Sequence, residues 1–432
     1  MTVATGGSAA AQVAPPPGGV GIPGGPPTTR TFTLEAQALV EHDSNLARTS
    51  ESQAAASNVT PTDTIYAPTV NMNFAMPVGR QAVFFNASES YLFHQTNTRL
   101  NSNRTNLTGG GSLAAGPCSA VLRGGYSRGR SEVLGPATAQ IGGAIGATGG
   151  TLLPGTTNLE STILNIETTE DAGLSLSCAR ASGIGINGQL SQQWTSNSET
   201  LSGSGSYRST TGSAGATYQR PAFGALTVGG VYARTIYGDQ VNAGLVPRGF
   251  ETTGAQVSFN RQLGGRIQAQ LMIGYTHAHD LSPPPIPAGV TGDPFADFSG
   301  FTYSGGASFR VTSRFQAKAS FQRSISPSLL SGSSYEVLTG YGLDFQYQLG
   351  THISLDLKGD RQQSRSNGAP LVVTAQTLTE SSVNDLSASV SYRFNRRLSA
   401  QLSGTHETRK ADNVKFAYDN DRIALTLSST LF

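Results

Sequence analysis

The sequence predicts an all-β protein, a transmembrane antiparallel up-and-down β-barrel of about 18 strands. Three observations lead there. Apolar and polar residues alternate with a period of two in segment after segment, as in strands with one apolar and one wet face. Each segment is long, about a dozen residues, whereas soluble strands average about five or six and a tilted bilayer-crossing strand needs roughly nine to eleven. The connections alternate short and long, as in barrels with tight turns at one end and larger loops at the other.

The hairpin from Tyr335 to Asp360 shows this most clearly. Its first arm sets Val337, Tyr341, Leu343, Phe345, Tyr347 and Leu349 against Glu336, Gly340, Gly342, Asp344, Gln346 and Gln348. After Gly350 the second arm sets Ile353, Leu355 and Leu357 against Ser354, Asp356, Lys358 and Asp360.

Composition narrows the class. Charged residues make up 13% of the 432 positions, about half the share usual in soluble domains. No run of eighteen apolar residues occurs, which excludes membrane-spanning helices. A formal net charge of +2, without clustered Lys and Arg, argues against a nucleic-acid partner.

In chain order, residues 1–30 carry no alternation. Ser8-Ala9-Ala10-Ala11 before Gln12 reads as the small-residue end of a signal peptide from a cropped precursor, or else as an alanine-rich tail. Pro15-Pro16-Pro17 and Pro26-Pro27 make the rest an extended periplasmic linker. The barrel is expected over residues 31–432, as one domain. Alternation begins with Phe32, Leu34, Ala36, Ala38 and Val40. It recurs through Val70–Met76, Val83–Phe93, Leu107–Leu113, Ala120–Tyr126, Leu174–Leu176 and Ile184–Trp194. Further segments follow as far as Leu431.

Short turns are expected near residues 79, 117, 182, 222, 264, 312, 350 and 395. Long loops are expected near 44–62, 128–160, 238–249, 278–297 and 362–379. Aromatic residues gather at both ends of the strands, with Phe315, Phe345, Tyr347, Tyr392 and Phe394 near short turns. Trp194, Tyr275, Phe301, Tyr303 and Tyr335 lie near long loops. Two such belts suit the two bilayer interfaces. A soluble all-β protein with exposed aromatics is the competing reading, and the strand length argues against it.

Cys118 opens one strand after a short turn, and Cys178 closes the next before another. Antiparallel neighbours would place both at one end, in phase with the apolar face. In an oxidising compartment a disulfide follows, with two buried thiols as the alternative.

Three motifs point to chemistry and do not carry it. Gly125-Tyr126-Ser127-Arg128-Gly129 spells a nucleophile elbow but lacks the strand-to-helix turn such an elbow needs. Gly183-Ile184-Gly185-Ile186-Asn187-Gly188 spells a dinucleotide fingerprint with no helix after it. His277 and His279 share a face without a third ligand at a recognised spacing. No catalytic residue, metal or cofactor is expected.

The informative chemistry is on the polar phase, mainly Ser, Thr, Asn, Gln and Gly. Arg123, Arg266, Lys318, Asp344, Asp356, Lys358 and Asp360 are its scattered charges and the candidate pore-lining residues. Unpaired polar groups in a dry core would cost roughly 1–3 kcal/mol each, so this face must be wet. Mixed signs imply weak ion selectivity, and hydroxyls and amides suit hydrated sugars.

Asp43-Ser44-Asn45-Leu46 with Arg48 at the end of the first strand form a loose pattern. Arg220-Pro221 with Gly224, Gly230 and Tyr232, then Gly249-Phe250 and Gly274-Tyr275-Thr276, continue it. With these patterns, the chain from Thr31 onward resembles the putative β-barrel porin 2 family of proteobacterial outer-membrane barrels. The resemblance implies a bacterial outer-membrane location, surrounding lipid, and an exit pore for exopolysaccharide. It implies a periplasmic polysaccharide-export component as partner, and it supplies no catalytic residues. A general diffusion porin for small hydrophilic solutes and a non-conducting adhesion or structural barrel are the alternatives.

Overall fold

The structure, a computed structural model, describes residues 30–56, 58–130, 165–178, 182–198, 206–238, 249–281, 296–327, 335–366 and 379–431. Almost all of the linker expected at 1–30, nearly all of loop 128–160, most of loops 278–297 and 362–379, and Phe432 lie outside them.

Eighteen strands follow one another: β1 Thr31–Asp43, β2 Asp63–Val78, β3 Gln81–His94, β4 Ser102–Ala115, β5 Cys118–Arg130 and β6 Ile166–Cys178. Next come β7 Gly183–Asn197, β8 Tyr207–Arg220, β9 Gly224–Tyr237, β10 Gly249–Leu263, β11 Ile267–Asp280 and β12 Phe298–Arg310. The last six are β13 Phe315–Pro327, β14 Tyr335–Leu349, β15 Ile353–Ser366, β16 Glu380–Arg393, β17 Leu398–Ala411 and β18 Tyr418–Thr430. A short helix, α1 Glu51–Ala56, lies between β1 and β2. No helix among the described residues is long and apolar enough to cross a membrane.

Each strand pairs antiparallel with its neighbours in sequence, and β1 pairs with β18 from Glu35↔Thr430 to Asp43↔Arg422. The sheet is therefore closed. Closure leaves no edge of unpaired N–H and C=O groups, which hydrocarbon could not satisfy.

Two faces follow from the alternation. One phase exposes apolar side chains, Ile184 at 77% and Leu343 at 52% among them. In a bilayer this is the outer, lipid-facing side, and the opposite phase faces the lumen. The tight turns at one end need left-handed backbone, supplied by Gly79, Gly116, Gly264 and Gly350 at φ between 57° and 70°. At the other end the connections are uneven. Those at 95–101, 198–206, 328–334 and 412–417 span fewer residues than the five anticipated as long. By the usual barrel polarity the tight turns are periplasmic and the longer loops external.

Cys118 and Cys178 stand directly opposite each other in the β5–β6 register, with sulfurs 2.12 Å apart. A non-reducing tryptic digest should therefore yield one linked peptide pair that separates on reduction. Recovery of two alkylatable thiols from folded protein would refute the bond.

Candidate functional site: the inward face of the barrel

The inward face divides into two sectors. On β7–β12 it carries amides and hydroxyls such as Gln189, Gln193, Thr217, Gln256, Asn260 and Gln270. Its charges there are Asp280 and Arg310, at strand ends. Hydroxyls pair across strands, as in Thr217–Thr227 and Thr276–Thr302, each 2.8 Å. This wall offers hydrogen bonds without net charge.

The other sector, β13–β18, is charged. Lys318, Asp344 and Lys358 stand in one register row. Asp360, Asp385, Glu407 and Asn420 stand in the next. Lys318 Nζ lies 3.3 Å from Asp344, and Lys358 Nζ lies 2.8 Å from Asp360. The two lysine side chains are 43% and 58% exposed, so water reaches the middle of the wall. Solvated pairs of this kind contribute roughly 0–1 kcal/mol each. They leave the surface polar and nearly neutral.

Five of the seven residues anticipated on the pore wall thus come together on β13–β15, with Asp356 on the inward phase of β15. Arg123 faces inward on β5, far around the barrel, with its Nε 3.3 Å from where a side chain on Gly173 would begin. Likewise, a side chain on Gly125 would strike Asp171 Oδ1 at 2.1 Å. These glycines let Arg123 and Asp171 lie flat against the wall. Arg266 belongs to the turn before β11, where it is exposed at the periplasmic rim rather than on the wall. Alternation ends at the strand boundary, and the pattern could not place that boundary to one residue.

Farther up, the charged sector becomes buried. Glu407, 1% exposed, accepts a hydrogen bond from the Tyr418 hydroxyl and one from Arg422 at 3.2 Å. Arg48 Nε lies 3.5 Å away, and Arg422 also approaches Asp385 at 3.8 Å. Arg48 reaches Glu407 from the β1–β2 loop with φ at +46°, a left-handed conformation that costs a non-glycine residue about 1–2 kcal/mol.

The remaining motif residues bind the same loop to β18. Asn420 Oδ1 accepts from Ser44 Oγ and from Asn45 N, at 3.1 and 2.9 Å. Asn45 N also donates to Asp43 Oδ1 at 2.9 Å. Thus Asp43, Ser44, Asn45 and Arg48 together clasp the seam where the first strand meets the last.

A second brace went unnoticed in the sequence. Asp63 accepts from the backbone N–H groups of Thr64, Thr96 and Asn97, and from the Asn97 side chain, at 2.8–3.1 Å. His94 Nδ1 lies 3.3 Å from it. The signal was an acidic residue at a strand start beside a loop, too common to single out.

Aromatic residues also occur inside. Tyr207, Tyr237, Phe250, Ala278 and Tyr335 form a buried cluster, with Phe298 and Ile325 against it, at the external ends of β8–β14. Tyr335 therefore leaves the outer aromatic belt in which alternation placed it, and its hydroxyl donates to the Ala296 carbonyl at 2.7 Å. Elsewhere the belts stand, as in Tyr275–Phe301 at 5.5 Å and Phe315–Phe345 at 6.3 Å between ring centres. A groove of about 540 Å³ between Phe315, Phe345, Leu357 and Val390 opens on the lipid-facing side, away from the lumen. His277 and His279 stack with ring centres 5.7 Å apart on the outward phase. Among the described residues, no group of three metal-ligating side chains gathers.

Comparison with known proteins gives no match among curated sequences. Among solved structures, Pseudomonas aeruginosa OccK2 (OpdF), crystallised with glucuronate, is 9% identical, with 93% of this chain and 98% of that chain covered and a TM-score of 0.46. P. aeruginosa OccK11 (OpdR) is 12% identical over 93% and 96%, with a TM-score of 0.45. The siderophore receptor PirA of the same species is 13% identical over 94% and 81%, with a TM-score of 0.44. The closed sheet itself, with its apolar outside and wet inside, establishes the architecture independently of these overlaps. Residues 233–430, from β9 to the end of β18, match the model of the family described as Putative beta-barrel porin 2, and the chain is a porin-like β-barrel of the bacterial outer membrane.

Proposed function

We propose that the barrel is a passive channel for hydrated, hydroxyl-rich solutes of the sugar class. The observation that carries this reading is the solvated inward face at mid-wall, where Lys318 and Lys358 remain 43% and 58% exposed. A closed sheet of this strand number leaves an aqueous lumen rather than a packed interior. The neutral amide and hydroxyl wall of β7–β12 exchanges hydrogen bonds with sugar hydroxyls as readily as water does. The charged wall opposite is largely paired and so presents a weak field. Among the described residues, no group on either wall is arranged as nucleophile, acid or base, and transport on this reading needs no chemistry.

A second reading, an exit pore for exopolysaccharide served by a periplasmic export component, follows from what the resemblance of the sequence patterns to that family implies. The two differ in what the lumen must accommodate, a single small solute or a threaded chain. Folded protein in a planar bilayer is expected to conduct in steps and to pass mono- and disaccharides in liposome swelling. Long blockades by added polysaccharide, with negligible swelling in disaccharide, would favour the exit pore. No current from correctly folded protein would end both proposals and leave a non-conducting adhesion barrel.

A further inference from the structure

Strands of 13 to 16 residues exceed the roughly nine to eleven that a tilted bilayer-spanning strand needs. The surplus lies at the external end, where the outward phase changes from apolar to polar. On β11, Ile273 and Tyr275 give way to His277 and His279. On β13, Phe321 gives way to Arg323. On β15, Leu357 gives way to Arg361 and Arg365, and on β17 Leu402 gives way to His406 and Lys410. Outward cations are therefore expected at headgroup level, where they cost about 0–1 kcal/mol, and not at the bilayer centre, where they cost about 2–4.

Charge in this collar is mixed around much of the barrel but concentrates on β13–β15. Arg323 stands in register with Tyr303 and Thr339. Arg361 stands between Tyr341 and Asn384, and Arg365 between Val337 and Glu380. Glu380 is the acid on the outward phase of β12–β16, so three guanidinium groups face one carboxylate. Tyr303 and Tyr341 share that outward phase, in register with Arg323 and Arg361 respectively. Arg323 Nε is buried without a hydrogen-bond partner, a cost that an anion at the same guanidinium would offset.

We propose that Arg323, Arg361 and Arg365 bind the phosphate of a phosphorylated lipid in the outer leaflet. The occupant is a lipid rather than a soluble anion because of where the patch lies. It is on the outward phase, external to Phe321, Leu343 and Leu357 on the same three strands, where a headgroup bound by the arginines lays its acyl chains along apolar wall. Guanidinium forks match phosphate oxygens in bidentate geometry and keep their charge at any physiological pH. The proposal rests on the outward face alone and stands whether or not the lumen conducts.

The test uses full-length protein refolded in phosphatidylcholine vesicles containing either diphosphorylated or dephosphorylated lipid A. Lipid retained after mild detergent extraction is counted by native mass spectrometry. Wild type should retain the diphosphorylated form preferentially, and R323Q/R361Q should retain roughly tenfold less. The exposed single variant R361Q, which leaves the half-buried Arg323 in place, should lose roughly threefold. R128Q, on the outward phase of β5 outside the patch, should match wild type. Unchanged retention in both patch variants would overturn the proposal, as would an equal loss in R128Q. Complete displacement by inorganic phosphate would also overturn it, since that result assigns the patch to soluble anions.

Discussion

Glu407→Ala is expected to destabilise the folded barrel by about 3–5 kcal/mol, the cost of removing one partner from a buried charge network. Its carboxylate meets Arg48, Arg422 and Tyr418 at 1% exposure. Truncation leaves Arg422 with Asp385, 3.8 Å away, as its nearest acid, and removes the acid that holds Arg48 in its left-handed conformation. The β1–β2 loop is then expected to loosen from the β17–β18 rim although its contacts with Asn420 remain. Glu407→Gln keeps the shape and a partner for Tyr418, so its loss should be smaller. Asp360→Ala, at a solvated pair, should cost no more than about 1 kcal/mol. Urea unfolding in vesicles, followed by the fluorescence of Trp194, measures all three. An unfolding free energy for Glu407→Ala within about 1 kcal/mol of wild type would show that the seam is held elsewhere.

Leu343→Arg is expected to cost about 2–4 kcal/mol and to reduce folding yield, because it places a cation on the lipid side near mid-membrane. Tyr341 above and Phe345 and Tyr347 below bracket that position on the outward phase of β14. Gln346→Arg, on the inward phase of the same strand, should stay within about 0.5 kcal/mol. Its new side chain projects into the lumen beside Asp356, its register partner. The same unfolding assay in vesicles compares them. Equal costs for the two arginines would mean that these faces do not meet lipid and water respectively, and the channel reading would fail with them.

Local alternation made most of the architecture readable. Leu343, Phe345 and Tyr347 against Asp344, Gln346 and Gln348 state which side of a strand is wet, and strand length states that a membrane is crossed. Cys118 and Cys178 were placed together because neighbouring antiparallel strands share an end whatever the loop between them does. The inward charges of β13–β15 were found for the same reason. Arg266 was misplaced because a turn interrupts the alternation. Tyr335 was misplaced because the first residue of a strand is free to turn toward Tyr207 and Phe250.

By itself the sequence determined the period of the strands, their faces and the membrane they suit, since each depends on residues one or two positions apart, and it gave their number only as about eighteen. Only the tertiary structure decided that Arg48, Asp385, Glu407 and Arg422 share one cluster, or that Arg323 and Arg361 stand on one external face. Those meetings depend on the register between strands and on where β18 closes against β1. Register and closure are set by the summed pairing of the whole sheet, and no short stretch of chain contains them.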